Sequence, residues 1–294
     1  MTIQEAQIIV DRFHRNNGNY TEEEFFLYTE AAGFLIHETK DSEIMLNLGG
    51  YYYDQKRYEL ALKYYEMAMA HGNGDAAIGL GYIWYYGRTG TVDYEKAFHY
   101  FSMKEEYYPI AKIKVADMYH NGYFVEKNEA KYKEIIEELY RIYHNSNFFE
   151  DPLPEIYIRL AGIREREGDI PEAKRLLREG KSELSAHIGF YQFFGYYSMM
   201  HGLIRDLYRL TPLDRNNFDL YDLYEVFTEP VTVSFSFKGK TYTIESSREE
   251  DGSIAVCFNG KWYRSIGDML MQAELDGYHI TLSPWKMKDF TIIS

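Results

Sequence analysis

A pattern in this chain returns about every 35 residues, the spacing of stacked helical hairpins. Leu48-Gly49-x-x-Tyr52 comes back as Leu80-Gly81-x-x-Trp84 and again as Val115-Ala116-x-x-Tyr119. Tyr58-x-x-Ala61 comes back as Tyr94-x-x-Ala97. A single hairpin of this size cannot hide its own apolar stripe, so copies must lean on one another. Gly49, Gly81 and Ala116 hold one register of the first helix, and Ala61 and Ala97 one register of the second. Glycine inside a helix costs about 1 kcal/mol against alanine. Its recurrence therefore points to close helix approach, with neighbouring Tyr and Leu filling the gaps.

The periodicity predicts three units between about Ser42 and Ser146. Helices are expected over 43–53 and 58–70, over 76–86 and 94–106, and over 110–121 and 128–143. Asp75, after His71-Gly72-Asn73-Gly74, is a candidate cap for the helix that follows it. Upstream, an amphipathic helix from Ile3 should stop near Asn16-Asn17-Gly18, and Thr21-Glu22-Glu23-Glu24 is a capping-box start. Phe25, Phe26, Tyr28, Ala32 and Phe34 of that second helix are expected against the first repeat. Downstream, 156–167 and a helix after Gly168-Asp169-Ile170-Pro171 form a further hairpin. The aromatic stretch 185–210, with Phe190, Phe193, Phe194 and Tyr197, continues or caps the stack.

These residues resemble the Sel-one-like repeat family, a relative of tetratricopeptide repeats. Tyr64-Tyr65-Glu66-Met67-Ala68-Met69-Ala70-His71-Gly72-Asn73-Gly74-Asp75-Ala76 is similar to that family's aromatic pair, Ala-rich turn, Gly-Asn and closing Ala. Leu80-Gly81-Tyr82-Ile83-Trp84-Tyr85-Tyr86-Gly87, followed by Gly90-Thr91-Val92-Asp93-Tyr94-Glu95-Lys96-Ala97, matches it best. The first unit has a shorter link, Asp54-Gln55-Lys56-Arg57, and the third has Ala116 in place of Gly. The resemblance implies a non-enzymatic adaptor that holds a peptide or protein segment on a concave face. By that resemblance, Tyr53, Tyr82, Tyr85, Tyr86, Asp117, His120 and Asn121 are the groove candidates. The competing reading of each tyrosine is packing between hairpins.

Near Pro230 the pattern changes. Val231-Thr232-Val233-Ser234-Phe235-Ser236-Phe237 alternates as a half-buried strand, and Lys238-Gly239-Lys240 turns it back. A second hairpin turns at Asn259-Gly260. A helix is expected from Ser265 to about Leu275, then strands over 278–282 and 289–293. The expected fold is thus mainly α: a helical repeat solenoid over 1–227, followed by a small α+β domain over 228–294. Trp262, Tyr263 and Trp285 are contact candidates in that tail.

Composition narrows the function. The net charge of −14 disfavours nucleic acid and anionic membrane surfaces. It leaves open an acidic inhibitor or immunity-type protein that blocks a basic partner. No run of 18 apolar residues predicts a span, and no signal peptide is visible at the N-terminus. Cys257, the only cysteine, reads as a small core residue, so a cytoplasmic setting is expected. The sequence holds no phosphate loop, His-Glu-x-x-His or Gly-x-Ser-x-Gly motif. No cofactor or metal is expected, and His99 and His120 lack clustered carboxylates. The enzyme alternative is a catalytic or small-ligand-sensing site in the tail, regulated by the array.

Overall fold

A computed structural model describes residues 1–15, 20–144, 153–191, 194–282 and 284–293. The expected stop at Asn16-Asn17-Gly18, the array end at Ser146 and Phe193 lie outside the described residues. The chain divides into two compact units, Met1–Ile135 and Ile136–Ser294.

The first unit is a series of antiparallel hairpins: α1 (Ile3–Arg15) with α2 (Glu22–Thr39), α3 (Ser42–Asp54) with α4 (Tyr58–Ala70), and α5 (Ala76–Tyr86) with α6 (Tyr94–Ser102). α7 (Pro109–Asn121) packs next, and α8 (Glu129–Tyr143) begins in this unit and crosses the boundary. Several helix ends have a local cause. Thr21 Oγ1 accepts from the Glu24 amide at 3.2 Å while Glu24 returns the bond to the Thr21 amide at 2.9 Å, the expected capping box. Asp41 caps α3 and Asp93 caps α6 through backbone amides. Gly87 and Gly122 end α5 and α7 in the left-handed conformation.

Three local expectations need correction. Asp75 does not cap α5, because its carboxylate is drawn off to Lys104 Nζ at 2.7 Å. Asn73 Oδ1 accepts the Asp75 amide instead. α6 stops at Ser102, short of the expected Glu106: Pro109 holds Tyr108 extended, and the chain crosses to it in turns. Phe26 is exposed, while Phe25, Tyr28 and Ala32 on the other face of α2 are buried.

The core of this unit is built on glycine under rings. Tyr65 of α4 is wedged between Gly49 of α3 and Gly79 of α5. A Cβ added at Gly49 would sit 2.7 Å from the Tyr65 ring, and one at Gly79 would be closer still. Phe101 lies on Gly81 in the same way, at 2.6 Å. Ala61 and Ala97 are fully buried at the partner positions.

Lys104 and Tyr108 hydrogen-bond the Asp75 carboxylate and hold it below the usual aspartate range. The folded chain therefore binds that proton less readily than the unfolded one. The contribution to stability is complete above about pH 4 and drains away as the pH falls through the lower folded value. Asp75→Asn should be less stable at neutral pH and should lose less stability on acidification. Urea titrations from neutral to acid pH check this, and equal acid limbs for the two proteins would refute it.

In the second unit, α9 (Leu153–Arg166), α10 (Ile170–Tyr191) and α11 (Phe194–Leu210) pack in turn, and one turn of helix, α12 (Leu223–Val226), follows. Gly168 and Asp169 make the expected turn between α9 and α10, with Asp169 Oδ1 accepting the Glu172 amide at 3.2 Å. The strands are β1 (Val233–Phe237), β2 (Lys240–Arg248), β3 (Ile254–Phe258) and β4 (Lys261–Tyr263), then, after α13 (Ile266–Gln272), β5 (Glu274–Leu275), β6 (Tyr278–His279) and β7 (Met287–Ile292). Five of them form an antiparallel sheet in the order β4-β3-β2-β1-β7. Both predicted two-residue turns are present: Lys238-Gly239 and Asn259-Gly260 have positive φ at both positions, which matches the twist of the strands they join.

The tail departs from expectation in three places. α13 ends at Gln272, and residues 274–275 pair with 278–279 instead. The expected strand over 278–282 is cut to two residues and a 3-10 turn, Ile280–Leu282. Buried Thr281 is the cause, since its hydroxyl is held by both Tyr197 Oη at 3.1 Å and His279 Nδ1 at 2.8 Å. Cys257 is only half-buried, because strand alternation puts it opposite Glu245 and Trp262 while Val256 and Phe258 take the core face. Among the described residues, no helix is long and apolar enough to cross a membrane.

Candidate functional site

The groove candidates implied by the resemblance lie on the first helices of successive hairpins in the first unit. Tyr53 lies near the end of α3, and on α5 Tyr82 lies one turn before the adjacent Tyr85 and Tyr86. Asp117, His120 and Asn121 lie on the last turn and a half of α7. Two cations that the sequence reading did not single out are threaded through them. The Arg88 guanidinium, just past the end of α5, lies 4.8 Å from the Tyr86 ring centre, 5.4 Å from Tyr58 and 5.9 Å from Tyr53. Its Nε donates to the Tyr53 hydroxyl at 3.2 Å. Lys114 of α7 places Nζ 5.7–5.8 Å from the ring centres of Tyr82, Tyr85 and Tyr86, and donates to the Tyr86 hydroxyl at 3.2 Å. Asp117 Oδ2 is 3.8 Å from the same ammonium.

The result is a ladder of alternating rings and cations that crosses three hairpins. Tyr86 is its shared rung, with Arg88 and Lys114 both against its ring. Each cation is attracted to the ring quadrupoles, and a desolvated contact of this kind is worth about 2 kcal/mol. Lys114 is only 7% exposed, so its tyrosine cage is filled by the chain itself. Tyr82 stacks on Tyr86 and meets Phe101 edge-on. Tyr85 meets Tyr86, Tyr94, Phe101 and Tyr123. Burial, with Asp117 nearby, pushes the Tyr85 hydroxyl above its ordinary range. Burial also raises Tyr53, against the opposing pull of Arg88. Tyr86 is 44% exposed and Arg88 is exposed, so the solvent-facing part of the ladder is this pair.

The α7 candidates stand slightly apart. His120 Nδ1 lies 3.0 Å from Glu129 Oε2, and its ring packs on Tyr132. Burial would raise the Glu129 carboxyl, but His120 and Lys127 outweigh it and hold the group below its usual range. Asn121 donates to the Asp117 carbonyl at 2.7 Å, which closes the helix end. In the second unit, Trp262 is exposed and Tyr263 is buried, on opposite faces of the sheet. Trp285 is 67% exposed and borders a cleft of about 600 Å³. Among the described residues, no group of three or more His, Cys, Asp or Glu is placed to hold a metal ion.

Helical hairpins stacked one on the next are the architecture that the resemblance to Sel-one-like and tetratricopeptide repeats implies. The array has that fold. No family model matches the chain, and no curated protein matches it. Among solved structures, the chain is similar to a protective antigen of uropathogenic Escherichia coli described as displaying an SLR fold. The identity is 16%, the match covers 76% of this chain and 52% of the antigen, and the TM-score is 0.45. This chain thus spans about half the length of that protein. It is also similar to a Sel1 repeat protein from Oxalobacter formigenes, at 16% identity over 78% of this chain and 91% of that one, with a TM-score of 0.45. A third similar structure is PilW, a widely conserved type IV pilus biogenesis factor, at 13% identity over 70% and 90%, with a TM-score of 0.45.

Proposed function

We propose that the chain is a non-enzymatic binding scaffold whose first unit holds a peptide or protein segment against the first helices of its hairpins. The observation that carries this reading is the exposed Tyr86–Arg88 pair at the middle of the ladder. Tyrosine and arginine dominate binding hot spots, and both are already immobilised here by Tyr53, Tyr58 and Lys114. Little side-chain entropy remains to be lost on binding, which favours affinity. Tyr82 and Tyr85, packed around Lys114, act as support for this pair. Asp117, His120 and Asn121 would flank the bound segment.

A peptide-display selection against the full-length chain tests the reading. Selected peptides should bind Tyr86→Ala and Arg88→Ala at least about tenfold more weakly, with helical content unchanged. Binding that is indifferent to both substitutions would place the partner elsewhere and sink the proposal. An inhibitor of a basic enzyme would instead select basic peptides whose affinity falls steeply with salt.

A further inference from the structure

The cleft beside Trp285 lies wholly within the second unit, and its hydrogen-bonding capacity is lopsided. One wall is a face of α10 that carries Arg178, Ser182 and Ser185 one turn apart. Tyr221 and Asp219 form part of the lining, and Trp285 stands at the border with most of its ring in solvent.

The carboxylates here are already charge-paired with Lys181. Asp219 receives Lys181 Nζ at 2.7 Å and the Tyr221 amide at 2.9 Å. Asp222, beneath it, receives the same Lys181 at 2.7 Å, the Tyr208 hydroxyl at 2.7 Å and the Asp219 amide at 2.9 Å. Arg178, by contrast, is exposed and has no ion pair among the described residues. Ser182 is exposed and Ser185 half-buried along the same wall, while the Tyr221 hydroxyl is sealed beneath it with Ser185 as its polar neighbour. Unspent donors beside an uncovered indole call for an acceptor-rich group on a flat apolar body.

We propose that this cleft binds a small anion carrying a planar ring, with its carboxylate or phosphate on the Arg178 guanidinium and its ring against Trp285. The planar guanidinium fork matches either headgroup through two parallel N–H donors. Ser182 and Ser185 supply further donors, and the volume is that of an ordinary small-molecule site. The site is separate from the tyrosine ladder and does not depend on it.

The test uses full-length protein with Trp84→Phe and Trp262→Phe, which leaves Trp285 as the only indole. Adenosine monophosphate probes the phosphate arm and phenylpyruvate the carboxylate arm, with adenosine and benzyl alcohol as uncharged ring controls. At least one anion should change Trp285 emission saturably below about 10 mM, and Arg178→Gln should weaken it about tenfold or more. Ser182→Ala, at an exposed position, should weaken the same probe by a smaller factor. A response to only one anion identifies the headgroup; a response to both means that the fork accepts either. No saturable response to either anion overturns the proposal. So does an affinity unchanged in Arg178→Gln, or adenosine binding as well as its monophosphate.

Discussion

Tyr65→Ala is expected to cost the first unit about 3–5 kcal/mol, enough to unfold a marginal array at room temperature. The ring is 7% exposed and fills the space between α3 and α5 left by two missing side chains, at Gly49 and Gly79. Neither helix can close that gap without shifting the next hairpin. The converse substitution is informative too. Gly79→Ala would gain about 1 kcal/mol of helix propensity in a free helix. Here the new methyl meets the Tyr65 ring inside contact distance, and overpacking of this kind costs about 1–3 kcal/mol. The ring is hemmed in on its other side by Gly49, so it has nowhere to retreat. In a Tyr65→Ala background the sign should reverse, and Gly79→Ala should become neutral or stabilising. Urea denaturation of the four proteins in the cycle measures the coupling. Additive losses would show that ring and glycine do not meet as described.

Asp222→Ala is the second large effect, expected at about 3–5 kcal/mol in the second unit. The carboxylate is buried and saturated by three donors: Lys181, the Tyr208 hydroxyl and the Asp219 amide. Removing it strands a tyrosine hydroxyl and a backbone amide, and it leaves Lys181 with Asp219 alone. Tyr208→Phe removes one hydrogen bond and should cost about 1 kcal/mol. Lys181→Met alone should cost less than Asp222→Ala, because it leaves the Tyr208 hydroxyl and the Asp219 amide still bonded to the Asp222 carboxylate. Thermal unfolding followed by circular dichroism separates these outcomes. Equal destabilisation by Asp222→Ala and Tyr208→Phe would mean that the ionic bond to Lys181 contributes nothing.

Much of the first unit was legible before any coordinates. Gly49, Gly81, Ala61 and Ala97 recur in register because helix crossings need room, and all four are at crossings. The repeat does not mark Gly79, whose reason is a ring from the neighbouring hairpin. Asp75 was misread as a cap because a cap is a local feature, whereas the pull of Lys104 comes from 29 residues further along. The candidate site was legible by half. The resemblance to the repeat family named Tyr82, Tyr85 and Tyr86, but not Arg88, in the link after α5, or Lys114, set among apolar residues of α7. No periodicity marks a cation that belongs to a ring on another helix. In the tail, both turns were readable from Lys238-Gly239 and Asn259-Gly260, since positive φ is written into residue type. The shortened strand after Tyr278 was not, because Thr281 bonds to Tyr197, 84 residues away.

The sequence by itself determined the hairpin repeat, the helix ends with their own caps, the small residues at crossings and the tight turns of the sheet. All of these depend on residues a few positions apart, or on a period. Tertiary structure alone decided which tyrosines are covered and by which cation. It also decided where Asp75 spends its charge, and that donors outnumber acceptors beside Trp285. Those depend on side chains brought together from distant parts of the chain, whose energies of burial and pairing exist only once the backbone has closed around them.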